Sequence, residues 1–398
     1  MKRRYKRVKP RRIRKTSFKA SNWAPVLALL ATIIAILGVL ALIVFVGLPY
    51  FLPMIGIEYR VTPTPSPSPT PRPTPTPRPI ENTENIADLQ KEVVLTTEKR
   101  YKWLGDPYIY NDILIFTAGE LIDNEAVMNS LLEYDIGSGT MKKIDPGLDN
   151  DHYMFPVFND KWLVYLDARF DGGGCIKMQD LTSKGSEPQI LKEVYAGQPE
   201  LKLSGDYLAW TERTGTNMDK LFVCDLRTKE TTVLSMFNSS VYGQSQPDFK
   251  DGLLVWADAD TVDMQQSGTT STLYSIRLSD STVKPYKPGT YVHDPEYNGS
   301  GFAWLSGHHG PGTELYYSKG FGMPVKVDEG VVEFGMGSDF IAYCKDETMW
   351  VYLIGKGRSY RLTPERERAQ FLGVSDDKVL WMDVTSRERD IMKFAPID

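Results

Sequence analysis

The sequence predicts an all-β fold, a seven-bladed β-propeller, carried behind an N-terminal transmembrane helix and a proline-rich stalk. Three observations carry that prediction. Aromatic residues that close an apolar strand recur at Phe116, Tyr165, Trp210, Trp256, Trp304, Tyr343 and Trp381, at intervals of 49, 45, 46, 48, 39 and 38 residues. That is the period of a four-stranded blade. Each anchor is followed by a loop and a second alternating strand, as in Lys220-Leu221-Phe222-Val223-Cys224-Asp225-Leu226, the pattern of a half-buried strand. Five anchors also have a proline upstream, at Pro107, Pro156, Pro199, Pro247 and Pro295. The anchors count seven blades; repeats this uneven in length also admit six or eight.

In chain order, the first element is a basic tail over 1–23. Residues 1–57 hold 11 Lys and Arg and no acid, leaving 35 basic against 51 acidic residues in the remainder, a formal charge of −16. An acidic body of that kind argues against nucleic acid as a partner, because phosphate binding needs a positive surface. Ala24 to Val46 is an almost unbroken apolar run of 23 residues. At about 1.5 Å per residue it spans roughly 34 Å, enough to cross a bilayer. It is longer than a signal-peptide core and runs into Leu48-Pro49-Tyr50-Phe51 rather than a small-residue cleavage site, so an uncleaved helix over 24–50 is expected. The basic residues before it place the tail in the cytoplasm and the rest outside the cell.

A proline-rich extracellular linker follows over 58–90. Between Thr62 and Pro79 proline stands at every second position, which fixes φ, removes amide donors and leaves an extended polyproline spacer. Eighteen such residues at ~3.1 Å each reach on the order of 55 Å.

The propeller occupies 91–398. The stretch Pro247-Asp248-Phe249-Lys250-Asp251-Gly252-Leu253-Leu254-Val255-Trp256 shows its unit: an inner strand, a tight Asp-Gly turn, and a strand ending on the anchor. The seventh unit stops after Asp390–Phe394, one strand short. Glu92-Val93-Val94-Leu95-Thr96-Thr97 resembles the other fourth strands and is expected to fill that gap, closing the ring and covering an edge. It enters from the Asp-Gly side, so the stalk is expected to meet that face. The three cysteines, Cys175, Cys224 and Cys344, are too few and scattered for a disulfide framework or a zinc site and read as buried thiols.

The blade pattern, apolar-apolar-aromatic, then a strand ending Asp-Leu, then a turn and Leu-Thr or Leu-Ser, resembles the repeats of TolB-like and PD40-type bacterial β-propellers. The resemblance covers about 92–398. It implies the fold and an envelope setting and leaves function open.

All four histidines fall on the face opposite the Asp-Gly turns. His152 and His293 lie in connections between blades, His308 and His309 in the loop after Trp304. Asp167, Glu212 and Asp258 stand two residues after their anchors, and Asp260 and Asp263 follow in a long loop. These nine are the candidate binding residues. Clustered carboxylates would suit Ca²⁺ and histidine with carboxylate would suit Zn²⁺, but no two have a diagnostic ligand spacing, and no cofactor is called for. No nucleophile elbow, metalloprotease helix or phosphate loop occurs. The expected role is therefore a membrane-tethered binding or scaffold module for an extracellular protein, peptide or cell-wall glycan. The competing expectation is a glycan-acting enzyme using carboxylates of the same face.

Overall fold

The computed structural model describes residues 93–95, 101–122, 125–214, 218–238, 245–261, 270–280, 282–289, 291–307, 312–386 and 390–397. The expected tail, membrane helix and stalk lie outside them. The described residues form seven four-stranded antiparallel sheets. The innermost strands of blades 1 to 7 are Trp103–Tyr110, His152–Phe158, Lys202–Ser204, Asp248–Lys250, Val292–Tyr297, Val331–Met336 and Ala369–Val374. Each touches the next, and the seventh returns to the first, so the sheets form a closed ring around a central channel.

The anchors explain why the units fold this way. Phe116, Tyr165, Trp210, Trp256, Trp304, Tyr343 and Trp381 are all 0–3% exposed. Burying a large apolar side chain contributes on the order of 2–3 kcal/mol, and here the gain is shared between neighbouring sheets. One apolar cluster fills each gap between blades, all the way round. Seven blades is thus the observed number.

The local signals have visible causes. Asp251 and Gly252 both take positive φ, 51° and 70°, the tight hairpin geometry whose twist suits flanking strands. Pro107, Pro156 and Pro295 each follow a residue in the left-handed region, Asp106 at 43°, Phe155 at 47° and Asp294 at 45°. Each of these pairs sits at a register shift between the innermost strand and its neighbour. Proline, lacking an N–H, is accommodated where the ladder is already broken. Pro199 and Pro247 lie just outside the short inner strands of their blades, Lys202–Ser204 and Asp248–Lys250.

Blade 7 is built from both ends of the domain. Its strand order is Val93–Leu95, Ile391–Pro396, Lys378–Asp383, Ala369–Val374. Val93 pairs with Phe394, Val94 with Lys393 and Leu95 with Met392. Because Pro396 pairs with Lys378 beside the turn, Val93 lies toward the turn face and Leu95 toward the opposite, loop face. The chain therefore enters the ring from the side of the tight turns. Where residue 90 stands relative to His308 falls outside the described residues.

Candidate functional site

The register places the candidate residues on one face but in four different blades. Tyr153 pairs with Asp167, Glu212 with Lys220, Asp258 with Thr272 and His293 with Leu305, each at the end of its sheet remote from the tight turn. His308, His309 and Asp263 lie outside the described residues. The backbone of Asp260 ends the strand Leu253–Thr261; its side chain is not among those described.

The side chains that are described hold loops in place. Asp167 is fully buried. Its carboxylate accepts the backbone amides of Asp149 (2.8 Å) and Asn150 (3.0 Å) and meets the Lys177 ammonium at 2.7 Å. Burial alone would lower the Lys177 pKa, but the hydrogen bonds to Asp149 and Asp167 outweigh it and hold the value up. His152 Nδ1 accepts the Met128 amide at 3.0 Å, tying blade 2 to blade 1, and its ring meets Phe170 edge-on at 4.3 Å. Glu212 accepts the Trp210 indole N–H at 2.9 Å. Asp258 accepts the Asn238 amide at 2.9 Å, fastening the end of blade 3 to blade 4. His293, buried, has Nδ1 2.8 Å from Asp294 Oδ2 and Nε2 3.1 Å from the Gly307 carbonyl. Among the described residues no group of three or more His, Cys, Asp or Glu side chains is arranged to hold a metal ion.

The latches leave a firm surface that displays aromatic side chains. Asp151 accepts the Phe170 amide at 3.0 Å, and the loop after it packs on the connection to blade 3, where Gly173 N donates to the Gly197 carbonyl at 2.9 Å. Gly173 and Gly174 are required there: a Cβ on the first would lie 2.4 Å from the Val194 carbonyl oxygen, and on the second 2.1 Å from that of Asp167. On this scaffold Phe170 is 53% and Tyr195 84% exposed.

A second constellation lies deeper, on the inner ring. The residues opposite the one that precedes each anchor are Tyr108, Val157, Lys202, Asp248, Glu296, Gly335 and Gly373. Three consecutive blades thus put charge at one level. Lys202 Nζ is 2.6 Å from Glu200 Oε1. Asp248 Oδ2 accepts the Tyr297 amide of the next blade (2.9 Å) and Glu296 Oε2 accepts the Met336 amide of the blade after (2.6 Å). Asp106, just before the proline of blade 1, accepts the Phe155 amide of blade 2 at 3.1 Å.

Lys202 and Glu200 keep 26% and 36% of their surface, but the water they meet is confined by the surrounding blades, so the field between these charges is poorly screened. Burial, then the negative charge of Asp248, push the Glu296 carboxyl up to about 8 against the pull of Lys202. Burial likewise raises Asp106 to about 6, opposed by the Phe155 amide, and raises Asp248. Lys202 is raised too, which in its case favours the charged form. Burial works against its charge, yet Glu200 and Asp248 hold its pKa above the ordinary value.

Across the ring the wall is bare. A Cβ at Gly335 would lie 2.7 Å from Phe371 Cζ, whereas at Gly373 it would meet open space. This arrangement can hold protons near neutral pH and favours a positively charged or hydrogen-bond-donating group over an anion. The sequence reading missed it because these residues are scattered singly. Their signal is positional: each stands eight residues before its anchor.

No known protein-family pattern matches the chain, and no curated protein matches it. Solved structures do. The β-propeller domain of the Trilobed protease from Pyrococcus furiosus matches with a TM-score of 0.57 at 14% identity, over 74% of this chain and 93% of that one. It is described as having an open velcro topology, whereas here Val93–Leu95 completes the last blade. Acylaminoacyl peptidase of Pyrococcus horikoshii matches at 0.56 and 11% identity over 78% of this chain, which spans about half (52%) of that protein. An oligogalacturonate lyase in complex with manganese matches at 0.51 and 13% identity, over 78% and 98% of the two chains. At these identities the likeness is one of fold.

Proposed function

We propose that the protein is a membrane-tethered, extracytoplasmic propeller of the TolB-like type, acting as a binding module for a protein, peptide or cell-wall glycan. The observation that carries the binding role is the loop face of blade 2. There, carboxylate latches and packed glycines preorganise a surface on which Phe170 and Tyr195 stand exposed. Rigid aromatics on a fixed scaffold lose little entropy on binding. The tether rests on the 23-residue apolar run, the basic tail before it and the proline linker. Val93 lies toward the turn face and the aromatics stand on the opposite one, which supports a reading in which they point away from the membrane. The second reading is an enzyme acting on extracellular glycan. It is supported by Asp106 and Glu296, whose carboxyls titrate near 6 and 8, within the range useful for proton transfer.

Both parts are tested with the full chain, the topology in intact cells and the binding with protein solubilised in detergent. Cys175, Cys224 and Cys344 are all buried, so a cysteine introduced by Ser68→Cys is the one expected to react with a membrane-impermeant maleimide. Labelling without permeabilisation is the expected result; labelling only after it would overturn the topology. Phe170→Ala with Tyr195→Ala should weaken retention of the detergent-solubilised protein on detergent-extracted cell-wall and envelope-protein material by about tenfold or more. Unchanged retention would overturn the binding face, and glycan cleavage abolished by Glu296→Gln would favour the enzyme.

A further inference from the structure

On the turn face each of the first six blades presents two turns, the tight one after its innermost strand and an outer one leading into its outermost strand; blade 7 presents the tight turn alone. In six blades these turns, or the strand ends entering them, carry carboxylates: Asp112 and Asp135, Asp160 and Asp180, Asp206 and Asp225, Asp251 and Asp280, Asp339, and Asp376 with Asp377. Blade 5 is the exception. Its turns read Asn298-Gly299-Ser300 and Gly320-Phe321-Gly322-Met323-Pro324, and the strand entering the second ends on Lys319. In place of acid the outer turn shows apolar side chains: Met323 is 79%, Phe321 54% and Val325 50% exposed. Val283, which begins the adjoining outermost strand of blade 4, is exposed as well. The turn is held in place. Tyr286 of blade 4 donates its hydroxyl to the Gly322 carbonyl at 2.9 Å and meets the Phe321 ring edge-on at 5.4 Å. The Gly322 amide donates to the Lys319 carbonyl at 3.1 Å, and Phe321 packs on Phe302 at 5.1 Å. The result is a fixed apolar tip with Lys319 and Lys284 exposed beside it.

We infer that the outer turn of blade 5 is a membrane-docking surface, inserting at the headgroup level of the bilayer that holds the chain's own anchor; this rests on the tethered reading above. The described chain enters on this same face, and the residues before it include the 23-residue apolar run and the proline linker. A linker reach on the order of 55 Å leaves blade 5 within range of the surface. The body of the protein is acidic, −16 over 58–398, and is repelled by anionic headgroups. Contact is therefore made where carboxylates are missing, which among the described turns is blade 5. A Cβ on Gly299 would lie 3.4 Å from Asp251 Oδ2, so the acid-free zone is the outer turn rather than the tight one. An aromatic and a thioether flanked by lysines suit the boundary between acyl chains and anionic headgroups. The exposed apolar area is on the order of a few hundred Å², short of the about 800 Å² per partner of a stable protein interface. It suffices for a lipid contact because the tether keeps the local concentration high.

The test uses the full chain in nanodiscs of phosphatidylcholine and phosphatidylglycerol, with co-elution on the disc reading the tether. The native cysteines are buried, so a fluorophore can be placed on one introduced cysteine at a time: Val325→Cys beside the tip, Leu181→Cys at the outer turn of blade 2, and Glu329→Cys at the opposite end of blade 5. Lipids with a nitroxide on the acyl chain are expected to quench the label at 325 by about twofold or more and to leave those at 181 and 329 unchanged. Adding Met323→Asp to the Val325→Cys chain should abolish that quenching while co-elution and melting temperature stay as they were. A chain that does not co-elute with the disc would overturn the tether, and the docking with it. Co-elution with equal quenching at all three positions, or with none, would overturn the docking alone. So would quenching at 325 that survives Met323→Asp. A label at 325 shielded from aqueous iodide yet untouched by the nitroxide lipids would overturn it too, assigning the tip to a protein contact.

Discussion

Lys202 is the one cation among the seven described positions at its level of the inner ring, and Asp248 and Glu296 share that level with it. Burial first, and the neighbouring charge of Asp248 second, are why Glu296 keeps its proton to about pH 8 rather than 4.5. The sign of the consequence is fixed by linkage. A carboxyl whose folded pKa is raised contributes stability that is fully present below its unfolded pKa and is lost as pH rises through the folded value. Asp106, raised from 3.8 to about 6, acts in the same sense over a lower window. Glu296→Gln should therefore gain stability relative to wild type between pH 5 and 9, with the gap widest at pH 9, as read from melting temperatures. Parallel curves for the two proteins would contradict this. Asp167 belongs to a different case. Its carboxylate satisfies two amides and a lysine that is 6% exposed, so Asp167→Ala leaves Lys177 with the exposed Asp149 and a long bond to the Gly147 carbonyl at 3.4 Å. A loss of about 3 kcal/mol is expected by chemical denaturation, with Asp167→Asn milder because it keeps an acceptor for one amide.

At the scale of strands, what the sequence made legible is what repeats. The seven anchors are buried because each closes a strand between two neighbouring sheets, and the period-two strands beside them follow from the same burial. Extents were less legible. The strand that follows the anchor of blade 1 begins at Glu125, and the outermost strand of blade 3 runs to Asn238, because pairing with the neighbouring strand carries each beyond the stretch whose alternation marks it. The candidate site was legible as a face and not as a role. Asp167, Glu212, Asp258 and His293 all lie where expected, yet each described side chain serves a loop, an indole or a neighbouring amide. A carboxylate two residues after an anchor reads the same whether it grips a ligand or a backbone N–H. The strand Val93–Leu95 offers the clearest test at this scale. Deleting residues 93–95 removes three rungs, worth about 2–4 kcal/mol, and exposes Ile391–Pro396. The expectation is one cooperative transition at lower temperature; an unchanged melting curve would show that the ring closes without it.

The whole molecule is a ring of near-equivalent sheets whose differences carry the information. Blades 3, 4 and 5 bring charge to the inner level, and blades 6 and 7 bring glycine. Blade 2 bears the exposed aromatics, and blade 3 ends in a nine-residue outermost strand with a β-bulge at Leu234. No such division is visible to a reading that treats the repeats as copies. Aligning them on the anchors exposes it, because a position eight residues upstream is apolar or aromatic in some blades and ionised in others. The loops around His308 and Asp263 follow no repeat, and alignment gives them no role.

The closing strand has one more consequence, and it is mechanical. Val93–Leu95 lies along Met392–Phe394 with its first residue toward the turn face, where the preceding chain arrives. Tension transmitted through residues before Val93 and directed away from that face pulls along the strand axis, so its three rungs bear the load together instead of parting one after another. A force applied there would thus load the pairing with Met392–Phe394 in shear, and its loss would leave blade 7 with three strands.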